Sequence, residues 1–393
     1  MTHPTRDDIN LIGGEFWGRN PHEEMAWMRA NAPVYWDGHA WGITKYDDLK
    51  RVESDAATFS NAGGIRADSG PTAMMIEKDD PEHQRRRKLV SRGYTPRRVR
   101  DREAEIRKFC DGIIDRALSK DSCDLVWDIA APLPLAVIAT DLGAAHDMWP
   151  QLLEWSDAMM CALTGDPDTF ARAAEAFGGY VGYITEVIAD RRANPRDDLM
   201  SVLCHAEVDG DRLDDDALIH DSLLILVGGD ETTRHVITGG AFQLLLERSR
   251  WDALCADPAK IPTAVEEMLR WVSPIRNMNR TATRDIEVRG QQIRQGDNVL
   301  LLYPSANRDE DVFADPFRFD IARHPNEHVA FGFGTHFCLG SSLARLELRV
   351  ILEQLTTRLP ELDLVSADEP TARPANFVSG YESLPVRLGT PAA

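Results

Sequence analysis

The chain has 393 residues, 43% of them hydrophobic and 27% charged, with a formal net charge of −20. That is enough for a large core with an ordinary globular composition, and the acidic balance argues against nucleic-acid binding by the chain as a whole. The six cysteines contain no CxxC pair, which disfavours zinc and reads as free thiols in a reducing cytoplasm. No linker, repeat or low-complexity tract divides the chain, no apolar run approaches membrane-spanning length, and the polar start lacks an export signal. The expectation is a cytoplasmic protein whose residues 1–393 form a single domain. It is mainly α, with a smaller β-rich lobe at about 30–60, 280–325 and 375–390.

Residues 22–31 read as a helix, Asp37-Gly38 as a hairpin turn between two short strands, and 46–55 as a helix. Residues 60–80 form a loop broken by glycines yet carrying Ile65, Met74, Met75 and Ile76; apolar loops of this kind often cover sites. Asp80-Pro81 predicts a helix start, with Asp80 as cap, Gly93 its end, and Thr95-Pro96 the next start. His83 and Arg87, four apart, share a face of that helix. Residues 85–102 carry nine cations against one acid, Asp101, a local excess that suits an acidic partner docking near Arg85, Arg86, Arg97 and Arg98. Helices are predicted at 101–118, 145–163, 168–192 and 197–206.

Residues 223–240 are too apolar on all sides for a surface helix. Gly228 and Gly229 inside it cost about 1 kcal/mol each relative to alanine, which implies a local opening or a close backbone approach. Glu231-Thr232 is an acid–alcohol pair able to relay protons through water, or equally a plain surface pair. Glu267 and Arg270, three apart, can pair on one helix face. Val272, Ile275, Asn277, Met278 and Arg280 follow. Strands are predicted around turns at Gly290 and Gly296-Asp297.

The loop 331–340, Phe-Gly-Phe-Gly-Thr-His-Phe-Cys-Leu-Gly, presents one cysteine at the start of a helix. Gly332, Gly334 and Gly340 permit tight turning and close approach to a flat ligand. Helix-start N–H groups favour thiolate at Cys338, and Ala344 is small where a large side chain would crowd a ligand. A thiolate held so is a candidate axial ligand for haem iron. The same residues fit an inert core cysteine, whereas a phosphate loop lacks its GxGxxG or Lys-Ser/Thr signature.

The pattern Phe331-Gly332-x-Gly334-x-His336-x-Cys338-x-Gly340 resembles the haem-ligand loop of the cytochromes P450, and the resemblance covers nearly the whole chain. It extends to His83-x-x-x-Arg87, Gly228-Gly229-x-Glu231-Thr232 and Glu267-x-x-Arg270. It implies the cytochrome P450 fold and haem b (iron protoporphyrin IX) bound through Cys338, with His83, Arg87, Arg280 and His336 on its propionates. It also implies O2 as co-substrate beside Gly228 and Gly229, proton delivery by Glu231 and Thr232, and a buried structural pair Glu267–Arg270. Ferredoxin and ferredoxin reductase would supply electrons. The pocket would be lined by Ile65, Met74, Met75, Ile76, Val227, Val272, Ile275, Asn277, Met278, Phe377 and Val378. A mobile lid would include Met159, Met160, Leu163 and Phe170.

Residues 60–66, 228–235 and 373–380 are further similar to an actinobacterial subfamily. This likeness implies a monooxygenase that hydroxylates the terminal methyl of a sterol side chain, on cholesterol or cholest-4-en-3-one, with oxidation onward to the acid left open. Alternatives are another lipid, such as a fatty acid or terpenoid; a peroxide-driven peroxygenase, which usually lacks the acid–alcohol pair; and a haem sensor, which needs neither relay nor docking patch.

Overall fold

The computed structural model describes residues 4–120, 122–145, 148–161, 167–208 and 210–390. The core is built around the 32-residue helix Asp215–Leu246. Asp214 caps its start, accepting from the Ala217 N–H at 2.8 Å. From Val236 to Leu245 the helix joins an apolar core with Ile113, Met268 and Ile351. Small residues set the helix spacing: a Cβ at Gly239 would lie 2.8 Å from Val272, so glycine is what lets the helix Ile261–Val272 approach.

The predicted helices recur as His22–Asn31, Tyr46–Ser54, Glu103–Leu118, Trp149–Cys161, Pro167–Ala193 and Leu199–His205. Leu163 lies outside the described residues. Thr95 caps as expected, accepting from the Arg98 N–H at 3.4 Å. Two boundaries differ. The helix expected from Asp80-Pro81 begins at Glu82 without a side-chain cap, because Asp80 instead accepts from Gln84 Nε2 at 2.7 Å. That helix ends at Val90 rather than Gly93; Gly93 is needed because a Cβ there would collide with Leu199. A further helix, Pro132–Asp141, was not read from the sequence. It is buried on nearly every side, so it lacks the one-sided periodicity that marks a surface helix.

A five-stranded sheet runs in the order Val34–Trp36, Trp41–Ile43, Asn298–Leu301, Met278–Ala282, Phe59–Ser60. Its one parallel pairing sets Trp41 opposite Val299. Turns at Gly38, Gly290 and Gly296 have φ of 98°, 77° and 89°, which glycine adopts at little cost. Strand Pro385–Arg387 joins a separate sheet with Cys123–Asp124 and Asp363–Leu364, so the third β-rich stretch does not extend the first two. No helix among the described residues is long and apolar enough to cross a membrane.

Glu267 and Arg270 are both fully buried and pair through two bonds of 2.7 Å. Arg270 also donates to the carbonyls of Asn307, Pro316 and Arg318 at 2.8, 2.9 and 3.3 Å. Glu267 accepts from the Asp320 N–H at 2.8 Å and from Arg323 Nε at 3.1 Å. The pair thus pins residues 307–323. Asn307 in turn accepts from the Val329 N–H at 2.8 Å, and Val329 O accepts from the Gly332 N–H at 2.9 Å, so the connection reaches the cysteine loop. Breaking a buried pair leaves its partner uncompensated. Glu267→Ala is expected to destabilise the chain by about 3–5 kcal/mol, read by urea denaturation; a loss below about 1 kcal/mol would refute this role.

Candidate active site

The loop before Cys338 turns at Gly332 and Gly334, both at φ 69°. A Cβ at Gly334 would lie 2.6 Å from Glu53 O, so glycine seats the loop on the helix Tyr46–Ser54. The Cys338 N–H donates to Phe331 O at 2.9 Å, closing the loop, and the Ala344 N–H donates to Gly340 O at 2.9 Å at the head of the helix Ser341–Arg358. A Cβ at Gly340 would lie 4.0 Å from Cys338 Sγ, an ordinary contact distance. The N–H groups of the helix start do favour thiolate, but they are not the largest influence on the sulfur. Burial pushes the Cys338 thiol up, against the pull of the Gly340 and Ser341 N–H groups and of Arg87 and Arg345.

Four basic side chains gather beside this loop. Arg87 Nη2 donates to Phe337 O at 2.5 Å. The His83 and His336 rings stack at 3.9 Å. Burial, then the charges of His83, Arg280 and Arg87, press His336 down to about 2. Buried Arg280 lies 3.5 Å from Glu53, whose carboxyl burial raises to about 7. His83 Nδ1 is buried without a hydrogen bond, though Asp80 lies 3.5 Å away. Crowded cations and imidazoles suit an anionic ligand. Two carboxylates on a flat macrocycle whose metal meets Cys338 satisfy that demand, so these residues fit haem.

On the long helix, burial is interrupted at Leu224, Ile225, Val227, Gly228, Gly229 and Thr232, of which Gly228 is exposed and the others half-buried. Residues 228 and 232 lie one turn apart on one face. The two glycines serve different ends: a Cβ at Gly228 would meet nothing, whereas one at Gly229 would sit 2.8 Å from Ile138. Gly228 leaves the opening and Gly229 allows the buried helix Pro132–Asp141 to pack. Thr232 Oγ1 donates to Gly228 O at 2.7 Å.

Glu231 does not share that open face. It is buried, paired with Arg234, bonded to His235 Nε2 at 2.9 Å and 3.5 Å from Arg373 Nη1. Arg234, His235 and Arg373 outweigh burial and hold its carboxyl well below the usual range. No hydrogen bond joins it to Thr232 among the described residues. Arg373 also bonds Asp157 at 2.7 Å. The adjacent Asp230 is fully buried, and burial pushes its carboxyl up to about 7 against the pull of Arg234. Reading the sequence for an acid–alcohol pair missed Arg234, Arg373 and Asp157, because their convergence on Glu231 spans three separate segments.

The expected pocket residues divide. Met74, Ile76, Val227, Val272, Ile275, Met278 and Phe377 are half-buried, whereas Ile65, Met75, Asn277 and Val378 are buried. Asn277 Nδ2 donates to Asn376 O at 2.6 Å, so it braces the turn at 376–378, and Ile275 bridges to Val378. Met74, Val227 and Leu339 pack on one apolar cluster, which brings the 60–80 loop, the long helix and the cysteine loop together. Of the lid residues, Met160 is buried and Phe170 is 55% exposed.

The docking expectation needs one correction. Arg86 is buried and paired with Asp221 at 2.7 Å, so it cannot meet a partner. Arg85, Arg97 and Arg98 pair with Asp211, Asp101 and Asp197. Lys88, Arg92 and Arg100 are exposed and form no ion pair among the described residues. On the cysteine loop Phe333 and Phe337 are 38% and 40% exposed, with Lys50 4.5 Å over the Phe333 ring.

The family model described as Cytochrome P450 matches residues 261–370. The chain is 48% identical to a steroid C26-monooxygenase of Mycolicibacterium smegmatis, over 99% of this chain and 98% of the relative. It is 37% identical to a methyl-branched lipid omega-hydroxylase of Mycobacterium bovis, over 96% and 94%. Among solved structures, a Mycobacterium marinum cytochrome P450 in complex with pseudoionone superposes with a TM-score of 0.89 at 33% identity, covering 98% of this chain and all of that one. A cysteine loop with a basic cluster beside it and a buried helix opened at Gly228, with identity of this extent to monooxygenases, establish that the chain belongs to the cytochrome P450 family.

Proposed function

We propose that this P450 monooxygenase hydroxylates the terminal methyl of a sterol side chain, on cholesterol or cholest-4-en-3-one, in the cytoplasm, with electrons from a ferredoxin and its reductase. The observation that carries the substrate is the 48% identity, over 99% of the chain, to a relative named for steroid C26 oxidation. The half-buried apolar side chains Val227, Ile275, Met278 and Phe377 support it, since they offer a hydrocarbon surface to a hydrocarbon substrate. A methyl-branched lipid is the second reading, favoured by the 37% identical omega-hydroxylase.

Cys338 would hold the iron of haem b, with His83, Arg87, Arg280 and His336 facing its propionates. When bound, haem supplies dioxygen binding and activation, with thiolate ligation favouring O–O cleavage. The remaining work belongs to the chain. Gly228 keeps a space open beside the helix. Thr232 lies on the same open face and can take and pass a proton at Oγ1. Glu231 is held ionised by Arg234, His235 and Arg373, so it can serve as a proton carrier only after those contacts loosen. The apolar wall excludes water from the rest of the pocket and aims the methyl end of the substrate.

Titrating the purified ferric holoprotein with cholest-4-en-3-one should give a saturable high-spin shift of the Soret band. No shift with the sterol, and a shift with a methyl-branched fatty acid, would replace the first substrate reading with the second. Thr232→Ala should consume reductant while releasing hydrogen peroxide, so that product per electron pair falls about 100-fold, the lower end of the range for a proton-transfer group. Full coupling in that variant would overturn its role.

For docking, Lys88→Glu, Arg92→Glu and Arg100→Glu together should slow reduction by an acidic ferredoxin about tenfold at low salt and flatten its salt dependence. Arg97→Glu alone, at a site already paired, should do less. Stopped-flow reduction tests this, and unchanged rates in the triple variant would count against the surface.

A further inference from the structure

Glu53 is a buried acid outside the stripe at Gly228 and Thr232. Its helix, Tyr46–Ser54, brings it against three other elements. From the helix Tyr303–Ala306, the Tyr303 hydroxyl donates to Glu53 Oε1 at 2.7 Å. From the strand Met278–Ala282, Arg280 Nη2 lies 3.5 Å from the same oxygen. From the cysteine loop, a Cβ at Gly332 would sit 3.2 Å from Oε1 and 3.8 Å from the Tyr303 hydroxyl, so glycine lets the loop close over the carboxyl. Glu53, Arg280 and Tyr303 are each no more than 5% exposed.

Neither charged group is satisfied within this cluster. Glu53 Oε2 is buried without a hydrogen bond, a costly state for a carboxylate. Arg280 Nη1 donates to Asn279 O at 2.9 Å, but its 3.5 Å to Glu53 is longer than the roughly 2.7–2.9 Å of a charge-assisted bond. Burial pushes the Glu53 carboxyl up to about 7, against the pull of Arg280, the Tyr303 hydroxyl and the Phe333 N–H. Burial also holds Tyr303 well above its ordinary range, so it stays a hydroxyl and a donor. His83 and His336, stacked beside the loop, are both pressed below the ordinary imidazole range by burial, so they stay neutral where Glu53 titrates.

We infer that Glu53 shares Arg280 with a haem propionate and holds a proton on Oε2 for that propionate to accept, which makes it a positioning residue for the cofactor and ties reduction of the iron to pH. This rests on the reading that Cys338 holds haem with Arg280 toward a propionate. One guanidinium then faces two carboxyl groups, and two like charges at one site do not both ionise readily. Glu53 is the one withdrawn from water, so the proton stays there. Its orphaned oxygen becomes a donor. Reduction adds one negative charge at the iron, which strengthens proton binding at Glu53. Above its titration point, the electron entering the iron is matched by a proton that Glu53 takes from solvent. Low pH therefore favours the ferrous state, and the midpoint potential falls as pH rises until Glu53 is ionised in both states.

The test is the ferric–ferrous midpoint potential of the holoprotein, followed by spectroelectrochemistry across neutral pH. The native chain should show a potential that falls with pH and then levels. Glu53→Gln keeps the shape of the side chain and never ionises, so it should remove that fall. Tyr303→Phe removes a donor that favours ionised Glu53, so the fall should move to higher pH. A flat native potential, or a fall that survives Glu53→Gln unchanged, would overturn the role. The Soret band reads the haem site separately. An intact thiolate-ligated spectrum without a Glu53-dependent fall strikes Glu53 alone, whereas no haem spectrum in the native chain strikes the haem reading with it. Should Glu53→Gln fail to fold, Tyr303→Phe decides: no shift of the fall, or a shift to lower pH, would overturn the role.

Discussion

A buried guanidinium must satisfy its N–H groups, and Arg270 does so with one carboxylate and three carbonyls. The carbonyls belong to residues 307–318, a stretch with no regular secondary structure beyond Asn307. Such a stretch has no ladder of its own to fix it, so a buried ion pair supplies the order that backbone hydrogen bonding supplies elsewhere. From Asn307 the order passes to Val329 and Gly332, and the cysteine is placed by residues far from it in sequence. Glu267 works as hard: it accepts from Arg270, Arg323, Asp320 and Asn326.

The long helix solves a different problem. It must bury nearly all its surface to build the core, yet keep one short stripe free. Two adjacent glycines divide the task, one leaving the opening and the other admitting Ile138. The charged residues that follow are pulled off the stripe by partners on other elements, with Asp157 and Arg373 reaching in from the helix Trp149–Cys161 and from the C-terminal segment. The alcohol is left on the open face and the acid is held to one side of it.

The fold was largely legible where a residue acts locally. Gly38, Gly290 and Gly296 announce turns, Thr95-Pro96 a helix start, and the loop around Cys338 its own shape. Legibility failed where burial or distance decides. The helix Pro132–Asp141 is apolar on every side and so shows no period. Arg86 looks like surface in a basic run, but the carboxylate of Asp221, 135 residues away, takes it into the core. Glu231 reads as a free acid from its neighbour Thr232, while three basic groups that define its state come from two stretches of chain.

The parallel pairing of Trp41 with Val299 has a consequence for how the chain is made. The hairpin of Val34–Trp36 and Trp41–Ile43 leaves the ribosome with one edge unpaired, and a two-stranded ribbon is marginal alone. Its neighbour is encoded about 260 residues later, which at roughly 5–20 residues per second is a wait of about 13–50 s. Throughout that interval the edge is open to wrong pairing. Trp41 and Ile43, buried in the finished sheet, are then the side chains most in need of shelter during synthesis.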